Sequence, residues 1–209
     1  MKLMLLGATG LVGSQLLNFA LRDSRISRIT ALTRHPLAKH EKLENHIIDF
    51  KNLPNEASFW KVDATLCTLG TTMKVAGSKE AFKFVDHDLP LSIAEIVKDH
   101  GCESFILNSA MGANPNSKFF YNKVKGELET NLEKLNFRSL SLIRPGLIGG
   151  EREEFRFGEE SAKYFMNILS PLLPKAWQIN PAEKIAMAML EATIQNKPGL
   201  NIITSKDLT

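Results

Sequence analysis

Short apolar runs alternate along this chain with longer stretches in which apolar residues recur every three or four positions. The short runs, each typical of a buried strand, are Lys2–Leu6, Arg28–Leu32, His46–Ile48, Ala64–Cys67, Ser104–Leu107 and Leu140–Ile143. The longer stretches, typical of amphipathic helices, are Leu11–Leu21, Leu89–His100 and Asn122–Leu135. Strands that alternate with helices of this length favour right-handed βαβ units and a parallel sheet covered on both faces. The pattern therefore predicts a doubly wound α/β fold.

The alternation stops after Arg144-Pro145-Gly146, and the remaining chain is less regular. It predicts a charged loop over 147–157, helices over Ser161–Leu169 and Pro181–Gln195, and an edge strand over Leu200–Thr204. Irregular C-terminal elements often shape the substrate site of such folds, because the ligand lies beyond the carboxyl ends of the strands. Basic and aromatic residues that could line that site are Phe155, Arg156, Phe157, Tyr164, Phe165 and Trp177. For Tyr164 and Phe165, a place in the helix core is the alternative.

Glycines with the spacing GxxGxxG follow the first apolar run. The segment is Gly7-Ala8-Thr9-Gly10-Leu11-Val12-Gly13. A strand that turns on glycines into a helix presents unpaired backbone N–H groups and the positive end of the helix dipole, which together bind a pyrophosphate. A structural turn without a ligand is the alternative. We predict that these seven residues form part of a dinucleotide site.

The second predicted strand ends at Arg34, about twenty residues beyond the glycine turn. An acidic side chain at this point binds the ribose of NAD, whereas an arginine accommodates the additional phosphate of NADP. No acidic residue occurs between Arg34 and Glu41, so the sequence favours NADPH over NADH. A solvated arginine in a loop is the alternative. Asp49 and Phe50 follow the third strand and are candidates for contact with the adenine.

The fourth strand ends at Cys67 and is followed by Thr68, Leu69, Gly70 and Thr71. Small residues and a glycine would let this loop approach the cofactor closely. A nucleophilic Cys67 is an alternative, but a buried cysteine at a strand end is usually inert. Cys102 also lies in an apolar run, so we expect two buried thiols in a reducing compartment and no disulfide.

Tyr121 and Lys125 stand four residues apart at the start of a predicted helix. That spacing places both on one face, where the ammonium would favour the tyrosinate and lower the pKa of Tyr121 from about 10. Ser109 ends the fifth strand at the same edge of the sheet and is a candidate to hydrogen-bond a substrate oxygen. A Tyr and a Lys at this spacing also occur together by chance. The pair is informative here because it follows a glycine turn and a serine at a strand end, in this order.

These residues resemble the atypical or extended short-chain dehydrogenases/reductases, which have a Rossmann fold, and most closely the Tat-interacting-protein oxidoreductase-like family. The resemblance is carried by CTLGTT (67–72), FKFVDHD (82–88), NSAMGAN (108–114), FYNKVKGELE (120–129) and LIRPGLIGGEREEFR (142–156). It implies that Tyr121 is the acid or base, that Lys125 also holds the nicotinamide ribose, and that Ser109 orients the substrate. It further implies that Arg144, Pro145 and Gly146 belong to the cofactor site.

The resemblance also implies two competing functions. One is an NADPH-dependent oxidoreductase that transfers hydride to a small carbonyl compound or a sugar nucleotide. The other is an NADPH-binding regulatory protein with a protein partner and little turnover. Asp86 favours the second, because it stands in the fourth helix where the superfamily often has an Asn of the proton relay.

Composition and charge narrow the remaining possibilities. A chain of 209 residues with 44% hydrophobic content is sufficient for one sizeable core. We expect one domain, with 1–146 as the cofactor-binding core and 147–209 on the substrate side. The net charge of +3 is mild and scattered, which gives no case for nucleic acid. We expect no membrane span and no metal site, and a cytoplasmic location.

Overall fold

The structure is a computed structural model, which describes residues 1–149 and 179–209. Its main sheet has seven parallel strands in the order β3-β2-β1-β4-β5-β6-β9. Their bounds are β1 Lys2–Leu6, β2 Arg28–Thr33, β3 Leu43–Ile47, β4 Ala64–Cys67, β5 Ser104–Asn108, β6 Ser139–Arg144 and β9 Gly199–Thr204. A small second sheet pairs β7 (Ile148–Gly149) with β8 (Asn180–Pro181). The predicted doubly wound α/β fold is confirmed.

Helices connect these strands. They are α1 (Leu11–Arg22), α2 (Met73–Ala76), α3 (Lys79–Lys83), α4 (Leu89–Asp99), α5 (Phe120–Lys134) and α6 (Ala182–Gln195). A π-helical turn, Phe84–Asp88, joins α3 to α4, and single 3-10 turns occur at Ser58–Trp60 and Ser205–Asp207. In the described part of the chain, no helix is both long and apolar enough to cross a membrane.

Both faces of the sheet are buried, as the strand composition predicts. Leu3 and Leu5 of β1 point into a cluster with α1 and α6, while Met4 and Leu6 point into a second cluster with α4 and α5. Side chains alternate between the two faces of a strand, so a strand with helices on both sides must be apolar at every position. This explains why β1 reads as a continuous apolar run.

The least accurate strand prediction is β3. It was expected at His46–Ile48 and is found at Leu43–Ile47. It is an edge strand, its first four residues are half-buried, and Ile47 is exposed. Because neither face is fully covered, the strand has no clear apolar pattern from which its start could be read.

The predictions for the C-terminal part of the chain are confirmed for two elements and differ for a third. The edge strand is confirmed as β9, and the predicted helix is confirmed as α6, with Pro181 immediately before its first residue. The predicted loop at 147–157 begins instead with the short strand β7. The rest of that loop, the helix predicted over Ser161–Leu169 and the candidate substrate-site aromatics lie outside the described residues.

The loop after β6, at the carboxyl edge of the sheet, is fixed by a buried asparagine that the sequence analysis did not predict. Asn180 is 0% exposed. Its Oδ1 accepts hydrogen bonds from the N–H of Gly146 at 2.7 Å and from the Ser205 hydroxyl at 2.8 Å. Its Nδ2 donates to the Ser205 carbonyl oxygen at 2.9 Å. Hydrogen bonds with the C-terminal segment of the chain therefore fix the position of this loop.

Helix α5 lies against the loop that precedes it, and Gly126 is the point of contact. A Cβ at this position would overlap the backbone of Asn114 and Pro115. Since backbone cannot rotate away as a side chain can, only glycine lets the loop and the helix approach this closely. Gly126 thus sets the position of the helix that carries Tyr121 and Lys125.

We predict that Gly126→Ala destabilises the protein. In an ordinary helix interior this change would stabilise by about 0.5–1 kcal/mol. Here the added methyl group forces the helix and the loop apart, and we expect a loss of about 1–3 kcal/mol. Urea denaturation measures the difference. Lys123→Ala on the same helix, at a side chain that is 53% exposed, is the matched control and should change stability by less than about 0.5 kcal/mol. A stabilised Gly126→Ala protein would contradict the close contact.

Candidate functional site

The glycine turn between β1 and α1 is built by close contact. Gly7 has φ of +84°, and a Cβ there would lie 2.7 Å from the Thr68 hydroxyl oxygen. A Cβ on Gly13 would overlap the carbonyl oxygen of Gly7, which accepts a hydrogen bond from the N–H of Gly10 at 2.9 Å. Gly10 precedes α1 and makes no side-chain capping bond, so no capping side chain occupies the first N–H groups of that helix. The turn has the form that binds a phosphate group.

A cleft of about 1530 Å³ opens at the carboxyl edge of the sheet, above β1 and β4. The order of strands reverses direction between β1 and β4, and such a switch point is where doubly wound sheets bind ligands. The predicted site residues that line it are Gly7, Thr9, Gly10, Leu11, Val12, Arg34, Asp49, Phe50, Thr68, Leu69, Gly70, Thr71, Ser109, Tyr121, Pro145 and Gly146. The structure thus brings most of the predicted residues together in one cleft.

Four of the predicted site residues do not line the cleft: Ala8, Gly13, Lys125 and Arg144. Ala8 lies in the apolar core, and Gly13 is buried beneath the turn. Lys125 and Arg144 lie behind the wall of the cleft, each in an ion pair with an acidic partner. The Lys125 and Arg144 side chains are therefore bound to other protein groups, and Ala8 and Gly13 are packed inside the fold.

One end of the cleft carries positive charge. Arg34 is exposed there, and Lys51, which the sequence reading missed, lines the same cleft. Asp49 accepts hydrogen bonds from the N–H of Lys51 at 3.0 Å and from Nδ2 of Asn52 at 2.6 Å. These hydrogen bonds lower the pKa of Asp49 below its usual value. The Asp49 carboxylate is therefore bound within its own turn, and Arg34 and Lys51 are the cations among the described residues that line this cleft.

The opposite wall is apolar and was not predicted. It is formed by α2, α3, the π-helical turn and the start of α4, through Val75, Ala76, Ala81, Phe84, Val85 and Leu89. Helices of four and five residues are too short to show a helical period in the sequence. Their N-caps, Thr72 and Ser78, accept the expected backbone hydrogen bonds and were the one available signal.

Lys125 is held by a buried ion pair with Asp86. Its Nζ lies 2.8 Å from Oδ1 of Asp86, and the two side chains are 1% and 0% exposed. The other carboxylate oxygen, Oδ2, accepts a hydrogen bond from the N–H of Thr71 at 2.7 Å. Asp86 was expected in the fourth helix and lies in the π-helical turn before it. One carboxylate therefore connects α5 to the loop after β4, which lines the cleft.

A second buried acid, Glu129, connects Ser109 to Arg144. The Ser109 hydroxyl donates to Oε1 of Glu129 at 2.5 Å. Arg144 donates from Nε to Oε1 at 3.0 Å and from Nη2 to Oε2 at 2.6 Å, and this pairing raises the pKa of Arg144. Glu129 was missed, although it follows Tyr121 and Lys125 at the same helical interval.

Cys67 does not have the environment of a nucleophile. It is completely buried at the end of β4, and burial raises the pKa of its thiol to about 11. A reactive cysteine needs a lowered pKa and access to solvent. Cys102 is also buried and free, so the expectation of two buried thiols is confirmed.

Solved structures with the same architecture define the class of the protein. The chain superposes with a TM-score of 0.73 on MoeE5 in complex with UDP-glucose and NAD, at 14% identity over 97% of this chain and 75% of that one. It superposes with a TM-score of 0.68 on the oxidoreductase ylbE from Lactococcus lactis, at 17% identity over 100% of this chain and 94% of that one. No family model matches the sequence. At these identities the likeness establishes a Rossmann-type α/β fold.

Curated relatives define the family. Protein HTATIP2 of Rattus norvegicus is 36% identical over 203 residues, which cover 93% of this chain and 82% of the relative. The mitochondrial protein FMP52 of Candida albicans is 39% identical over 164 residues, covering 74% of this chain and 70% of the relative. The chain belongs to the family of HTATIP2 and FMP52.

The same relatives correct the expected location. FMP52 proteins from Candida albicans, Scheffersomyces stipitis and Coccidioides immitis are named as mitochondrial. The prediction of a cytoplasmic location is therefore wrong. It rested on the buried cysteines and on the lack of a membrane span, and neither feature identifies a compartment.

We predict that Asp86→Ala destabilises the protein by about 3–5 kcal/mol, because Lys125 is left as a buried charge without its anionic partner. Urea denaturation at neutral pH measures the loss. Glu127→Ala, which removes a half-buried partner 3.9 Å from Lys123 at the protein surface, is the control and should cost less than about 1 kcal/mol.

The double variant Asp86→Leu with Lys125→Met separates lost charge pairing from lost packing. Replacing both partners with apolar groups of similar size removes the uncompensated charge, so most of the stability should return. If Asp86→Ala is no less stable than Glu127→Ala, the buried pair does not have the role assigned to it.

Proposed function

We propose that this protein is an NADPH-dependent oxidoreductase that transfers hydride to a small carbonyl compound, with a sugar nucleotide as the second substrate class. The observation that carries the proposal is a single cleft that contains the glycine turn, Arg34, Ser109 and Tyr121. The solved MoeE5 complex contains NAD and UDP-glucose, which supports a nicotinamide cofactor and keeps sugar nucleotides among the candidates.

The residues present fit a dinucleotide. Side chains at Gly7 and Gly13 would collide with neighbouring atoms of the turn, so the glycines leave the backbone open to a pyrophosphate at the start of α1. Arg34 and Lys51 would bind the 2′-phosphate that distinguishes NADPH from NADH. The loop from Thr68 to Thr71 would lie along the cofactor, held in place by its hydrogen bond to Asp86. Phe50 would contact the adenine.

The chemical end of the cleft contains a proton donor and a group to orient the substrate. A bound NADPH would supply the hydride. Tyr121 lines the cleft, and its phenol would donate a proton to the oxygen of a carbonyl substrate. Lys125 lies one helical turn away and keeps a positive charge behind the tyrosine as negative charge develops there. Ser109 would contact the substrate from the end of β5 and help to orient it.

A regulatory protein that binds NADPH with little turnover, acting on a protein partner, is the second candidate. The Asp86–Lys125 pair favours it, because an ammonium that already has a buried anionic partner is less available to hold the nicotinamide ribose. Fold alone does not separate an enzyme from a sensor of this kind. Both candidates require NADPH binding, and only the first requires the Tyr121 hydroxyl.

We predict that Arg34→Ala weakens NADPH binding about 10- to 150-fold, which corresponds to the loss of one charge-assisted hydrogen bond. NADH binding should remain nearly unchanged. Isothermal titration calorimetry with both cofactors measures the ratio. Lys39→Ala, at an exposed residue outside the cleft, is the control and should change neither affinity. Equal weakening of NADPH and NADH would remove the argument for a 2′-phosphate contact.

We predict that Tyr121→Phe retains NADPH affinity and lowers carbonyl reduction about 100- to 10,000-fold, the range expected for loss of an acid catalyst. The change removes one hydroxyl and keeps the ring, which packs edge-on against Phe82 with centroids 5.9 Å apart. NADPH oxidation is measured over a panel of small carbonyl compounds, quinones and a UDP-sugar that carries a keto group. If no compound is reduced faster by the unaltered protein than by the variant, the enzyme proposal fails and the sensor remains.

A further inference from the structure

The Ser109 hydroxyl has one proton, and the fold directs it away from the cleft. Ser109 is 4% exposed, and its Oγ donates to Oε1 of Glu129 at 2.5 Å. Its backbone N–H donates to the carbonyl oxygen of Ile143 at 2.7 Å, which fixes the residue at the end of β5. The hydroxyl oxygen nevertheless belongs to a residue that lines the cleft.

Glu129 is bound in a way that leaves it only the role of acceptor. It is 3% exposed, and both of its oxygens accept hydrogen bonds from Arg144. A carboxylate paired with both sides of a guanidinium is ionised and has no proton to give. The proton between Glu129 and Ser109 must therefore come from the serine.

We propose that Glu129 is a positioning residue that turns Ser109 into a hydrogen-bond acceptor towards the cleft, so that the site selects a ligand which donates a hydroxyl at this point. The inference rests on the proposed function only in taking this cleft as the substrate site. With its proton on Glu129, Ser109 presents lone pairs to the ligand. A bare carbonyl oxygen placed there would meet lone pairs and gain no hydrogen bond.

This arrangement gives Tyr121 and Ser109 complementary roles. Tyr121 donates a hydrogen bond to the ligand oxygen, and Ser109 accepts a hydrogen bond from a ligand hydroxyl. From Ser109 the chain of hydrogen bonds continues to Glu129 and Arg144. Two ligands share the required chemistry: an alcohol, and a carbonyl compound with a hydroxyl on the neighbouring carbon. In the second, the carbonyl would face Tyr121 and the hydroxyl would face Ser109.

Neutron diffraction from crystals exchanged into heavy water tests the proton position directly, without substrate or cofactor. We expect deuterium on the line from Ser109 Oγ to Glu129 Oε1. Deuterium on Ser109 directed into the cleft would overturn the proposal, whatever the outcome of the NADPH and Tyr121 experiments.

A second test measures the consequence for ligands. Cyclohexanol and cyclohexanone are bound to the cofactor-free protein, where no turnover occurs, and their dissociation constants are measured by ligand-observed NMR. The unaltered protein should prefer the alcohol roughly threefold to tenfold, the worth of one net hydrogen bond. Ser109→Ala should abolish the preference. A preference that persists in Ser109→Ala, or equal binding in the unaltered protein, would overturn the selective role.

Glu129→Gln separates positioning from a merely structural role. The glutamine keeps the size of the side chain and can accept from Arg144 through its oxygen while its amide donates to Ser109. The serine proton would then be free to face the cleft, so the preference should shift towards cyclohexanone. An unfolding midpoint measured beside the binding ratio reports any loss of stability. A Gln variant that keeps the alcohol preference of the unaltered protein would overturn the positioning role.

Discussion

The buried ion pair between Lys125 and Asp86 is the interaction on which the rest of the site depends. One oxygen of Asp86 pairs with the Lys125 ammonium on α5, and the other accepts a hydrogen bond from the backbone N–H of Thr71. A single carboxylate therefore fixes α5 relative to the loop after β4. The π-helical turn makes this possible, because its wider winding places Asp86 and His87 together on the side that meets α5. His87 pairs there with Asn131, which gives α5 a second anchor from the same turn.

The two ion pairs behind the cleft, Asp86–Lys125 and Glu129–Arg144, fix the positions of side chains and contribute little to the stability of the fold. Burying Lys125 and Glu129 carries a desolvation cost that their partners largely offset, so pairs of this kind contribute little net stability compared with apolar packing. What they provide is geometry, since a carboxylate with two partners can occupy only a narrow range of positions. Asp86 fixes Lys125, and Glu129 fixes the proton of Ser109. Both acids act on residues of the cleft from outside it.

The sequence is most informative where structure depends on neighbours along the chain. The glycine turn, the alternation of strands and helices, and the pairing of Tyr121 with Lys125 on one helical face all follow from local spacing. Contacts between residues that are distant in the sequence cannot be predicted in this way. Ser109 and Glu129 are 20 positions apart, and Asn180 and Ser205 are 25 positions apart. Arg144 was assigned to the cofactor because its motif was visible, whereas its acidic partner became evident only once α5 was packed against β6.

The two ends of the cleft are built by different means, and this has consequences for how the site can vary. The end with the glycine turn is made of backbone in close contact, where an added Cβ at Gly7 or Gly13 meets other atoms at once. Next to it, Arg34 is exposed and can change without disturbing any packing. The chemical end has the opposite character, because Ser109 and Lys125 are each bound to a buried acid that has a further partner. Under the proposed function, cofactor preference can therefore vary through surface residues, whereas a change in substrate chemistry requires coordinated substitution of buried, paired groups.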